Sequence, residues 1–152
     1  MSEDSKAWWI DIAGNIIDVD DRHDDLILKH PEIFNITKYD IKKILSNKKS
    51  SDDIDAELSE LSELAVYRGA IRIRLLKGLY TGLFIDIDYD KCTNSSTKLF
   101  NFFDKKADEI DLPLSAKAYV YDYASQAQTT MTIKKLIDEL NETKVFEQKE
   151  IK

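Results

Sequence analysis

The residues of this chain whose types and spacing most suggest chemistry are its aspartates. Asp18, Asp20, Asp21, Asp24 and Asp25 crowd around His23. Hard cations take several carboxylate oxygens, and a histidine can add a nitrogen. The run lacks the glycine and the closing glutamate of a calcium loop, so acidic capping of a helix start with solvated charge is the preferred use. Asp86, Asp88 and Asp90 alternate along one stretch, a pattern that can gather two carboxylates around magnesium. A metal-dependent phosphoesterase or nuclease is therefore the catalytic alternative. It would hold magnesium or manganese with Asp86 and Asp88, or with Asp11, Asp18 and His23. Cys92 has no histidine near it in sequence, and nothing around it would lower a thiol pKa. No catalytic set is recognised, and no cofactor is expected.

The elements that must position these groups read as follows. Over residues 7–19, Trp8, Ile10 and Ile12 alternate before Gly14-Asn15, and Ile17 and Val19 alternate after it. That is a hairpin with a two-residue turn. The turn would pair Ile12 with Ile17 and Ile10 with Val19, leaving Trp9, Asp11 and Asp18 on the opposite face. A short helix carries His23, Leu26, Ile27 and His30 and ends at Pro31; Thr37 caps a second with Ile41, Ile44 and Leu45. Residues 46–55 are the most polar stretch and are expected to be a mobile loop. A longer helix then runs over about 52–68, with Gly69 just past its end.

Beyond Gly69 the period changes from helix to strand. Ile71, Ile73 and Leu75 alternate with Arg72 and Arg74, and after a turn over 78–82 the stretch 84–89 alternates again. A five-residue turn sets Arg74 opposite Asp86 and Arg72 opposite Asp88, an ion-pair ladder that leaves those acids no open ligand sphere. Asn94, Ser95 and Ser96 offer caps for a helix whose stripe is Leu99, Phe102, Phe103, Ala107 and Ile110, ended by Pro113. One further strand, over about 116–124, puts Tyr119, Tyr121 and Tyr123 on one face. Thr132 caps a terminal helix, with fraying expected over 145–152. All four glycines have turn or cap duties in this scheme, which leaves none to cradle a phosphate. The fold class is α+β: one domain over 1–152, with about five helices packing a small mixed or mainly antiparallel sheet. Two hairpins plus one further strand make up that sheet.

Composition narrows the function classes. The chain has 29 acidic and 22 basic residues and a formal charge of -7, which disfavours nucleic acid and anionic lipid as partners. The acidic, polar start is unlike a signal peptide, no apolar run is long enough to span a membrane, and a lone cysteine excludes an internal disulfide. An intracellular location follows as the expectation. Aromatic residues on the non-core faces, Trp9 and the tyrosines 119, 121 and 123, are then the groups suited to a protein partner, since each ring offers apolar area with a polar tip.

The N-terminal half also resembles a family of small uncharacterised proteins encoded by tailed bacteriophages. Its pattern runs from a tryptophan-containing hairpin through a histidine and a Pro-Glu-x-Phe step to a Gly-x-Ile-Arg-x-Arg strand. Here those residues are Trp8, Gly14, His23, Pro31, Glu32, Phe34, Gly69, Ile71, Arg72 and Arg74. Where the family has Gly-Trp before the last strand, this chain has Gly69-Ala70. The resemblance implies a phage or prophage origin. Together these readings lead to the expectation of a phage-encoded protein-interaction module without catalytic activity. It would be an accessory virion component or a binder of a host factor, with a viral or host protein as partner and the host cytoplasm or the virion as location.

Overall fold

The computed structural model describes residues 4–19, 33 and 63–150. Six strands form one sheet: β1 (Asp4–Ile10), β2 (Ile16–Val19), β3 (Ile71–Lys77), β4 (Gly82–Ile87), β5 (Lys117–Asp122) and β6 (Ala127–Thr132). Three helices accompany them among the described residues, α1 (63–67), α2 (Ser95–Ile110) and α3 (Ile133–Glu150), and Ile33 is also helical. The strand order is β2-β1-β3-β4-β5-β6. Every neighbouring pair is antiparallel except β4 with β5, which are parallel because the chain passes through α2 between them. The α+β class and the mixed sheet agree with the sequence reading. Its details need correction. Three hairpins build the sheet rather than two plus a lone strand, and the described residues hold three helices rather than about five. The helices expected before residue 46, the loop over 46–55 and most of the helix over 52–68 lie outside the described residues. No helix among the described residues is long and apolar enough to cross a membrane.

One sheet face is the main core. Trp8, Ile10, Ile73, Leu75, Leu83, Ile85 and Val120 pack beneath α2 and α3, which contribute Leu99, Phe102, Phe103, Leu136 and Leu140. Trp8 meets Phe102 edge-on at 5.2 Å, a geometry that adds to the area both rings bury. The N-terminus of α2 is closed from a distance. Asn94 makes no side-chain cap bond; the Glu147 carboxylate of α3 instead accepts from the Ser96 N–H (3.4 Å), the Thr97 N–H (3.2 Å) and the Thr97 hydroxyl (2.6 Å). A carboxylate here satisfies otherwise orphaned amides and faces the positive end of the helix dipole. α3 runs from Ile133 to Glu150. Thr132 does cap α3, accepting from the Lys135 N–H at 3.1 Å.

The first hairpin departs from its expected register. Asp11 takes Asn15 twice, through the Asn15 N–H (2.8 Å) and the Asn15 side-chain amide (3.1 Å), while the Asp11 N–H donates to the Asn15 carbonyl (3.0 Å). This clasp closes a loop over 11–15 in place of a two-residue turn at Gly14-Asn15. Ile10 therefore pairs with Ile16 and Trp9 with Ile17. The register moves by three residues, and an odd shift exchanges faces. Trp9 turns to the face of Ile17 and Val19, and Ile12 is left exposed at the tip. A second, smaller core forms there, with Trp9, Ile33, Ala65, Val66 and Ala70 all buried.

Candidate functional site

The second face of the sheet brings together Trp9, Arg72, Arg74, Asp86, Tyr119 and Tyr121 of the groups singled out by sequence. Across it run two rows of opposed residues: Trp9, Arg72, Asp86, Tyr121 and Gln128, and beside them Ala7, Arg74, Phe84, Tyr119 and Thr130. The expected ladder is corrected by two residues, so Arg72 rather than Arg74 lies opposite Asp86, and Arg74 lies opposite Phe84. The cause is a turn placed one residue earlier in the chain. The Thr81 hydroxyl donates to the Gly78 carbonyl (3.0 Å) and accepts from the Gly78 N–H (3.1 Å), so that Leu76 already pairs with Gly82. An even shift keeps each side chain on its face. Arg74 still reaches Asp86 diagonally at 3.4 Å and lies over the Phe84 ring at 5.7 Å. Asp88 has no arginine opposite it in the ladder: its carboxylate accepts from the N–H groups of Asp90 (3.0 Å) and Lys91 (3.2 Å) in the turn after β4.

Electrostatically the centre of this face is constrained by burial. Burial pushes the Asp86 carboxyl above its ordinary range, with Arg74 and then Arg72 pulling against it. Burial and then the Arg74 charge lower the Arg72 guanidinium, while Asp86 and Tyr123 act the other way. Toward β5 the face becomes aromatic. Phe84 and Tyr119 stack at 4.8 Å, and Tyr121, Tyr123 and Tyr67 continue edge-on at 4.9 and 5.1 Å. Gly82 lets the Tyr119 ring lie flat on β4, since a Cβ there would come within 2.8 Å of it. The three tyrosines of β5 and the turn after it are half-buried, whereas Trp9, expected on the surface with them, is 2% exposed.

The carboxylates of the metal reading do not converge. Asp11 clasps its own turn. Asp18, paired across the strand with Trp8, forms an ion pair with Lys106 at 3.2 Å. Asp86 sits on the second face and Asp88 in a turn, while His23 lies outside the described residues. Among the described residues no three His, Cys, Asp or Glu side chains are grouped to hold a metal ion. Cys92 is buried, and burial raises its thiol pKa, so it is poorly nucleophilic.

Sequence reading missed the feature that is most open to a partner: strand β6 at the sheet edge. The Ile133 N–H donates to the Ala116 carbonyl directly opposite it at 2.9 Å. Antiparallel ladders alternate, so Ala127, Thr129 and Met131 turn their backbone groups toward β5. Gln128 and Thr130 turn theirs outward, as does the Thr132 N–H, while the Thr132 carbonyl belongs to the first turn of α3. Residues 127–130 are exposed. The strand reads Ala-Gln-Thr-Thr-Met-Thr, with no charge, proline or glycine, although natural edges are commonly blunted by lysine, proline or a bulge. No family model, curated protein or solved structure matches the chain. What the arrangement can do must therefore be argued from its geometry.

Beside β6, on the helix-covered face, a groove of about 450 Å³ opens between α3 and the β5–β6 hairpin. Thr129, Met131, Leu136 and Leu140 give it an apolar floor, and Asp122, Glu139 and Glu147 also line it. Burial acts to raise the Asp122 pKa, yet donors from Tyr89, Ser125 and Ala124 together hold it below the ordinary carboxylate range. The signal available in the sequence was the β-branched run Thr129, Thr130, Thr132 after a turn. It lacks apolar alternation because its side chains face solvent or a groove.

Proposed function

We propose that this chain is a phage-encoded protein-interaction module without catalytic activity that holds an extended segment of its partner by adding it to β6. The observation that carries the reading is the exposed, uncharged edge of β6, with the N–H and C=O groups of Gln128 and Thr130 and the N–H of Thr132 directed outward. Main-chain bonds of this kind give affinity in strand addition, and neighbouring side chains give selectivity. Tyr119 and Tyr121 lie on the rows that reach Thr130 and Gln128, so a partner on the edge would extend over the tyrosine face. Trp9 drops out of the interaction surface in this reading, because it is buried. The phage origin rests on the resemblance of the Trp8-to-Arg74 elements, and placement in the virion or with a host factor belongs to the same proposal.

The test is selection of peptides from a random displayed library on the immobilised full chain, followed by amide hydrogen exchange measured by NMR. Selected peptides are expected to slow exchange at Gln128, Thr130 and Thr132, and a T130P variant, which lacks one outward donor, should lose them. Peptides that bind while leaving those three amides unchanged would contradict the proposal.

A further inference from the structure

We infer that the strand received by β6 carries a lysine or arginine on the side that turns toward α3. The inference rests on the proposal that β6 pairs with an extended partner, and it names that partner's chemistry. A strand laid along β6 alternates its side chains between the two sheet faces. Those sharing the face of Thr129 and Met131 point into the groove beside α3. Three carboxylates line that groove, Asp122, Glu139 and Glu147, and no lysine, arginine or histidine does. Two of them are fixed in place by backbone amides: Asp122 by those of Tyr89, Ala124 and Ser125, and Glu147 by those of Ser96 and Thr97. Glu139 is exposed on α3. The apolar floor of Met131, Leu136 and Leu140 suits the methylene stem of a long basic side chain, whose charged head then meets the carboxylates. A volume of about 450 Å³ accommodates such a side chain, and the chain's net charge of -7 favours a cationic partner at longer range. An acidic side chain would meet only repulsion. A purely apolar one would leave the carboxylates facing its buried end.

Three acetylated peptides decide it, each alternating threonine with one test residue: lysine, norleucine or glutamate. Their affinities are measured by fluorescence anisotropy on the full chain and on E139Q, with amide exchange at β6 followed by NMR. The lysine peptide is expected to bind roughly tenfold more tightly than the norleucine peptide, which has the same stem without the charge. In E139Q that preference should fall to roughly threefold, and added salt should erode it. If all three peptides protect the β6 amides equally well, edge pairing stands and the basic preference is wrong. A lysine preference undiminished in E139Q places the charge recognition elsewhere and also overturns the inference. If no peptide protects β6, the edge reading falls and this one with it.

Discussion

The phase of the β6 ladder can be tested with two neighbouring prolines. Proline removes one backbone donor and places ring atoms where the hydrogen was. At Thr129 the lost N–H points to Val120 of β5, its opposite residue in the register. At Thr130 the lost N–H points outward. Both side chains are exposed, so the difference between T129P and T130P is one of backbone alone. T129P loses a ladder bond and pushes its ring against β5, a cost taken to be on the order of the 3 kcal/mol that proline imposes inside a helix. T130P loses no bond within the sheet, and the bias of its preceding residue toward extended backbone suits a strand; its cost should stay under about 1 kcal/mol. At about 2–4 °C per kcal/mol for a chain of this size, T129P should melt about 6–12 °C below wild type and T130P within about 4 °C of it. Urea unfolding with unchanged slope would confirm that both variants report the native state. Equal losses, or a larger loss for T130P, would mean that Thr130 faces β5, and the proposed docking edge would be wrongly phased.

Other perturbations probe the rest of the framework. Glu147→Ala should destabilise the chain by about 1–2 kcal/mol by uncapping α2, with a double-mutant cycle against Thr97→Ala giving a coupling near 1 kcal/mol; additive losses would show that the contact does not cap. In Trp8→Phe the one remaining tryptophan is Trp9, and its emission should be blue-shifted and shielded from acrylamide, whereas ready quenching would place it on the surface. Burial raises the Asp86 carboxyl above its ordinary value of 3.8. The fold therefore binds that proton more readily than the unfolded chain, and stability should fall as pH rises from the unfolded value through the folded one. D86N has no such titration, so it should gain on wild type across that window in urea unfolding at stepped pH; a wild type that gains on D86N as pH rises would reverse the sign. Gly69 has φ +106, and a Cβ there would stand 2.9 Å from the Lys91 carbonyl oxygen, so Gly69→Ala should cost more than about 1 kcal/mol by thermal melt.

How far the fold could be read from sequence depended on what each element buries. Strands β3 and β4 were legible because Ile71, Ile73 and Leu75 face Leu83, Ile85 and Ile87 across one buried face, and their period of two survives any even slip. The turn chemistry was harder. Nothing in the alternation says that Thr81 closes its loop on Gly78, and that one hydroxyl decides whether Arg72 or Arg74 lies opposite Asp86. At the first hairpin Gly14-Asn15 gave a strong local turn signal, but the Asp11 carboxylate clasped Asn15 from four residues away. The resulting odd shift put Trp9 inside. Sequence pattern also favours segments that bury one face, and β6 buries little: its threonines and glutamine show no apolar alternation because they are exposed.

The same reasoning explains why the candidate site was the least legible part. Residues that looked chemical, Asp11, Asp18 and Asp88, are engaged in a turn clasp, an ion pair with Lys106 and a turn cap, and such roles follow from backbone geometry that no spacing rule reveals. The groups left open are backbone donors and acceptors on one side of β6, and every residue type but proline carries both. A docking edge is therefore invisible to a reading of residue types, and becomes visible only when one hydrogen bond, from the Ile133 N–H to the Ala116 carbonyl, fixes the direction of its neighbours. What the sequence could supply was the absence of protection: six residues without lysine, proline or charge at a position that turns out to be the border of the sheet. Since such a border invites pairing with any exposed strand, the carboxylates beside it would, under the proposed reading, act as a filter that repels acidic segments, including those of this acidic chain itself.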